Sequence, residues 1–534
     1  MRKVIGLALL VAAGCKGAAS QPPALDNVVD QVVVPMLEQS GLKVVPEDPA
    51  ILCRRLAIDL TGLTPSGAAF AAHCDGKSPA EMADWFMNQP SGPNVPDGTA
   101  PYVWVNRRWW ADQFAYESSL GQSSTFYTYV RDLDAIVGQL YTGQIRYDVF
   151  AQKALASPAF ARRFGVFEAN HDLVQIASQA YRVFLGREAV PSEAEDFGNL
   201  WRGWSTRFMN ETLSETTYPD CPVAYDQLKN RIGCRHWELG LDPALCAGAN
   251  QAACESTILG SGAVIPTSAA FVRWYDLTPE AQAMLLAPGK LMAAQPEFAE
   301  AAVDRALEKY LGWWKAGTYR PDYDVPAVRD ALVKKFVADG FDIRKLEREI
   351  VTSVLYTQAA ALQPSQLATD PIWAFGPTKL MYAEAWMDSV GQALGKQLGG
   401  CDFRYLYSGT STSKISGYYN FPVSAGVSRA FYYSNASNMG GCPVATTHGD
   451  PSGLVPAVTR RVALATLCPG SFKPPSGAAP DAIIKLEFSG VGRAPSASEL
   501  QTLTTEMSTS TDPPQTLADS LCTSLFATSA FNYY

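Results

Sequence analysis

The chain has little histidine. His73, His171, His236 and His448 are the whole complement of its 534 residues, so catalytic triads have few candidate bases. The usual nucleophile and cofactor signatures are missing: G-x-S-x-G, H-E-x-x-H, the P-loop and G-x-G-x-x-G do not occur. No two of the 11 cysteines lie three apart, which excludes the zinc-ribbon knuckle, the thioredoxin-like pair and C-x-x-C-H haem attachment. No metal or other cofactor is expected. Basic runs are also absent, and 43 basic against 52 acidic residues leave a net charge of −9, so nucleic acid is excluded as an expected partner. After the first residues no apolar run reaches the ~18 needed to span a bilayer.

What is present begins at the N-terminus. "MRK" is a charged start, "VIGLALLVAA" an apolar stretch of signal-peptide length, and "AAGC" a small-residue cleavage site ending in Cys15. This resembles a bacterial lipobox, with Ala12 where leucine is more usual. The resemblance implies that the Cys15 thiol is acylated and that membrane lipid is a partner. Lys16 follows, where aspartate would signal inner-membrane retention, so the expected location is the outer membrane. Ten cysteines remain, an even number in a compartment where thiols oxidise. Neighbour pairing suggests Cys53–Cys74, Cys221–Cys234, Cys246–Cys254, Cys401–Cys442 and Cys468–Cys522, although spacing alone does not prove connectivity.

Helical signals dominate the rest. "SPAEMADWFM" carries a capping box at Ser78 and Glu81, and Ser192/Glu195 and Ser496/Glu499 repeat the pattern. Val328, Leu332 and Phe336 fall on one helical face, as do Ile343, Leu346, Ile350 and Val354, with Arg344, Lys345, Glu347 and Arg348 outside it. Residues 210–270 and 398–480 lack a helical period and read as disulfide-stapled irregular segments, the latter with a short strand at "AFYYS". The expected fold is mainly α, a multi-helical two-domain protein with little β. Its segments are a signal peptide (1–15), a linker (16–44), an N-terminal helical domain (45–209), a Cys-rich insertion (210–270) and a C-terminal helical domain (271–534) with a Tyr/Ser-rich loop at 398–480.

Several stretches, taken together, resemble a known pair of domains. "CRRLAIDLTGLTPS", "RRWWADQFAYES" and "IRYDVFAQKALA" are similar to landmarks of the Planctomycete cytochrome C-associated domain of unknown function. "FVADGFDIRKLEREIVTSVLYTQ", "GPTKLMYAEAWMDSVGQALG" and "LFATSAFNYY" resemble its companion C-terminal domain. That family commonly carries a C-A-R-C-H-D-H cluster. Here only Cys234, His236 and Asp242 of "GCRHWELGLDP" are comparable, and one cysteine with a displaced histidine cannot attach haem in the usual way.

For chemistry, Asp112 and Glu117 are the most suggestive acids. Trp109 and Trp110 beside them could stack on sugar, and two carboxylates suffice for glycoside cleavage. The competing reading pairs Arg108 with Asp112, and Arg55 with Asp59, as helical salt bridges four residues apart. Glu384 and Asp388 share a helix face, Glu168 stands near His171, and His448 sits in a loop with Asp450. The Tyr/Ser-rich loop offers rigid rings and small hydroxyls for ligand contact. The sequence thus leads to an exported, lipid-anchored envelope protein, non-catalytic, that binds an extracellular polymer or protein partner. The alternatives are a hydrolase on extracellular polysaccharide and a cytochrome-associated redox partner.

Overall fold

The protein is seen here in a computed structural model. It describes residues 26–90, 99–114, 126–157, 160, 173–197, 200, 279–312, 325–360, 372–400, 423–428, 430–442, 454–490 and 495–533. The fold is mainly α. Among the described residues there is no strand, and only isolated bridges join Pro46 to Gln358, Leu380 to Tyr533 and Leu398 to Val423.

The first helix lies within the stretch 16–44 expected as a linker. Asn27 caps α1 (Val28–Gln39), its side chain accepting from the amides of Val29 and Asp30. Val29, Val33 and Leu37, at i, i+4 and i+8, are buried. Two reciprocal caps then dock the helix. Glu349 accepts from the Val28 amide at 2.7 Å, and Asp30 accepts from the Val354 amide at 2.7 Å.

Helix α2 (Pro49–Thr61) has Asp48 as its cap, proline in its first turn and Gly62 in the left-handed region (φ +74°) at its end. It is buried nearly all round because it lies between two cores. Leu52, Cys53, Leu56, Ala57 and Leu60 belong to the first and Ile58 to the second. The Cys53–Cys74 disulfide ties it to the end of α3 (Gly67–His73). Helix α4 (Pro79–Met87) opens with the expected Ser78/Glu81 capping box.

The first core is completed by α5 (Pro101–Gln113), α6 (Phe126–Tyr141), α7 (Tyr147–Ala156), α8 (Leu173–Leu185), α9 (Pro279–Ala293), α10 (Glu297–Leu311), α11 (Pro326–Ala338), α12 (Ile343–Val351) and the short α13 (Val354–Thr357). Helix α9 lies backbone to backbone on α7. A Cβ at Gly289 would collide with the main chain of Gln152, so the crossing needs glycine there. Val328, Leu332 and Phe336 are buried, as their spacing requires. Ile343, Leu346 and Ile350 are buried too. Val354 is only half-buried, because α12 stops at Thr352 and a new turn starts beyond Ser353.

The second core gathers α14 (Ala383–Ala393), α15 (Ala430–Asn438), α16 (Leu454–Leu467), α17 (Pro480–Gly490), α18 (Ala497–Thr509), α19 (Pro514–Ala527) and α20 (Ser529–Asn532). Cys468–Cys522 staples the end of α16 to α19 across 54 residues, a loop long enough that the crosslink removes ~4 kcal/mol of chain entropy from the unfolded state. The Ser496/Glu499 box caps α18 as expected.

Three expectations are corrected. "AFYYS" is the start of α15, not a strand; its rings fit a helix whose face packs on α14. The turn near 192 begins at Pro191, and Glu193, not Glu195, accepts from the Val190 amide while pairing with Arg187. The cores also do not divide at residue 271. Helices α9–α13 join the first core, and the second is built from Ile58 together with residues from Met381 onward.

One carboxyl in the second core is uncompensated. Glu487 on α17 is fully buried, and neither oxygen has a hydrogen-bond partner. Burial, with a smaller contribution from Asp519, pushes its pKa up to about 9. Between pH ~4.5, where glutamate titrates when unfolded, and about 9, the folded state holds a proton that the unfolded state releases. Stability due to this group therefore falls as pH rises through that window. Glu487→Gln is expected to flatten the fall and to stabilise the protein at pH 8 by ~1–3 kcal/mol, read by urea denaturation from pH 5 to 9. An identical pH profile in variant and parent would refute it.

Candidate functional site

Where the helices of the first core converge, four of them close on one carboxylate. Helix α12 is short and steeply amphipathic, and its turn carries Glu347 inward between α5, α6 and α10. Oε2 of Glu347 accepts from the Tyr102 hydroxyl at 2.5 Å and the Tyr310 hydroxyl at 2.7 Å; Oε1 accepts from Lys309 Nζ at 2.9 Å and the Tyr141 hydroxyl at 3.2 Å. Four donors fill four lone-pair positions, a pattern that suits a carboxylate acting purely as acceptor. Glu347 is 2% exposed. Lys309 also donates to Asn106 Oδ1 at 2.5 Å, and its ammonium lies 4.7 Å from the Tyr310 ring centre and 5.6 Å from those of Trp109 and Tyr141.

Burial pulls Lys309 below the ordinary lysine range, and Glu347 pulls it back. Burial, then the Glu347 charge, holds the Tyr102, Tyr141 and Tyr310 hydroxyls well above the usual phenol range, so they act as donors.

From this hub a polar seam runs to the second core. The carbonyl of Lys309 accepts from Lys379 Nζ at 3.3 Å. Lys379 also pairs with Asp59 of α2, which accepts from the Tyr356 hydroxyl at 2.8 Å. One turn earlier, Arg55 pairs with Glu47 at 2.7 Å and donates to the Tyr356 carbonyl at 2.6 Å. Arg108 of α5 reaches Asp388 of α14 at 2.6 Å, and Tyr432 of α15 donates to the other oxygen of Asp388 at 2.9 Å. Burial raises Asp388, with Arg108 opposing it. Glu384, one turn back, accepts from the Cys442 amide at 2.7 Å. Main-chain contacts complete the join: the Thr64 amide donates to Ser389 Oγ at 3.0 Å, and Gln392 donates to the Thr64 carbonyl at 2.9 Å.

The sequence candidates fare unevenly. Trp110 is 1% exposed. It packs among Phe114, Tyr147, Phe150 and Phe184, and its indole donates to Tyr141. It is a core residue without a free face, which corrects its expected role as a stacking platform. Trp109 is half-buried, edge-on to Trp110. Asp112 lies in α5, but its side chain is outside the described residues, as are Glu117, His171 and His448. Arg108 pairs with Asp388, 280 positions away, Asp59 with Lys379, 320 positions away, and Arg55 with Glu47 just before its own helix.

Of the five suggested disulfides, Cys53–Cys74 and Cys468–Cys522 are present. Cys442 is disulfide-bonded as well; its suggested partner Cys401 lies outside the described residues, as do Cys15, Cys221, Cys234, Cys246, Cys254 and His236. Glu347 and Lys309 were missed. Helical spacing put Glu347 with the charged outer residues, and its partners lie up to 245 positions away, so no local pattern marks it.

A carboxylate whose four acceptor positions are all filled is poorly suited to taking up a proton. Its chemistry is positional: it fixes α5, α6, α10 and α12 against one another. Among the described residues no group of acids, cysteines and histidines could hold a metal ion.

Residues 320–432 match the family described as PSD1, protein of unknown function (DUF1553). The match spans α11 to the start of α15 and includes the stretches 336–358 and 376–395 that carry the second-half resemblance. No curated protein and no solved structure matches the chain.

Glu347→Gln should destabilise the protein by ~3–5 kcal/mol in urea denaturation, because it leaves the Lys309 ammonium buried without a counter-charge. The double variant Glu347→Gln/Lys309→Met should recover part of that loss. Additive losses in the double variant would show that the two groups do not act as a pair.

Proposed function

We propose that the chain is an exported, lipid-anchored protein of the bacterial outer membrane. Its helical body serves as a non-catalytic scaffold that binds an extracellular polymer or a protein partner. The address rests on the signal-like N-terminus ending in Cys15 and is supported by disulfides, which suit an oxidising compartment.

The non-catalytic reading is carried by Asp388. A glycosidase needs two acids facing each other across an open, aromatic-lined cleft. Asp388 is instead shared between Arg108 and Tyr432, and its neighbour Glu384 accepts a main-chain amide. Asp59 and Glu347 are spent on lysines in the same way. Acids that hold helices together leave recognition to the surface.

The hydrolase reading places catalysis on Asp112 and Glu117, and one paired experiment separates the two. Fractionation of cells should show the parent in membranes and Cys15→Ser in the soluble envelope fraction. The soluble form should then sediment with peptidoglycan sacculi or envelope polysaccharide without releasing reducing ends. Retention of Cys15→Ser in membranes would overturn the anchor. Release of reducing ends that Asp112→Asn abolishes would overturn the scaffold in favour of the hydrolase.

A further inference from the structure

Helix α16 breaks the rule that the outer side of a surface helix is polar. Its inner residues Pro456, Thr459, Arg460, Ala463, Leu464 and Leu467 are buried against the second core. Its outer side carries Leu454, Val455, Val458 and Val462, exposed by 79%, 63%, 51% and 59%. Ala457 and Ala465 lie exposed between them. No other described helix presents so many large apolar side chains to solvent, and isolated exposed valines elsewhere need no such explanation.

The charge on this helix is also distinctive. The chain carries −9, yet α16 has no acidic residue, and its charges are Arg460 and Arg461. Arg460 turns inward and donates to the Met381 carbonyl at 3.4 Å. Arg461 is exposed on the apolar side. An apolar helical face with a cation and no anion fits the boundary of a lipid bilayer, where side chains enter the acyl region and the guanidinium meets lipid phosphate.

We infer that the outer side of α16 (Leu454, Val455, Val458, Val462 and Arg461) is a membrane-contact surface that lays the second core on an anionic lipid leaflet. The inference draws on the proposed lipid anchor only to bring the body near a bilayer; the contact itself needs no acylation. A helix of this length, with no span long and apolar enough to cross a membrane among the described residues, lies in the interface plane.

The test uses residues 16–534, which lack the acylated cysteine but keep every described residue. Vesicles of phosphatidylethanolamine with phosphatidylglycerol should co-sediment this protein, and phosphatidylcholine vesicles should do so less well. Val458→Asp/Val462→Asp should cut binding to the anionic vesicles at least tenfold with an unchanged melting temperature. Leu454→Ser should cut it by a smaller factor, and Arg461→Gln should erase the preference for anionic lipid. Absence of binding, or binding indifferent to these substitutions, would overturn the inference. So would a dimer in analytical ultracentrifugation that Val458→Asp/Val462→Asp dissolves, because a second copy would then be the occupant. Failure of the Cys15 anchor reads out separately, in the cell fractionation.

Discussion

The architecture depends on charge that has been taken out of water. Arg55, Arg108, Lys309 and Lys379 enter the body of the protein, and each desolvated ion costs several kcal/mol unless a counter-charge and hydrogen bonds meet it. Glu47, Asp388, Glu347 and Asp59 meet them. Apart from Glu47 with Arg55, each acid comes from a helix or loop distant in sequence, so the cost is offset only when the whole set is assembled. Hydrophobic burial makes two cores; the seam decides how those cores face each other. This explains why α2 is buried almost all round. One side serves the first core and Ile58 serves the second, while Arg55 and Asp59 are buried on Tyr356, and Asp59 also takes Lys379, two residues before Met381 of the second core.

Periodicity and capping chemistry were legible in the sequence because both are local. Leu332 and Phe336 need only the period of 3.6 to be placed inward, and Ser78 and Ser496 need only a glutamate three residues on. The two disulfides were legible because neighbour pairing suffices for loops of 21 and 54 residues. Glu347 was not legible. Its position between Arg344, Lys345 and Arg348 looks solvated, and only the arrival of three tyrosines and a lysine from other helices makes burial tolerable. Arg108 illustrates the same limit: its partner Asp388 lies 280 positions away, on another helix. Trp110 was misread for the reverse reason, since an aromatic beside acids has the same local appearance in a core and in a sugar-binding cleft.

The scaffold reading and the membrane-contact reading converge on a division of labour. The first core and the seam provide rigidity through saturated contacts such as the Glu347 hub. The second core carries the features that stay uncompensated, namely the buried Glu487 carboxyl and the apolar outer side of α16. On the scaffold reading recognition would fall to the surface, and the unusual surface lies on the side contributed by α16. The PSD1 match ends within α15, so α16 lies beyond the matched stretch.

The central claim is that the ion seam makes two hydrophobic cores unfold as one body. Differential scanning calorimetry of the disulfide-intact protein tests it most directly. The account predicts one transition whose calorimetric and van't Hoff enthalpies agree, and two resolved transitions in Asp388→Asn/Lys379→Met, where the join is cut on both sides. Two transitions in the parent protein, or a single unchanged transition in that variant, would contradict it.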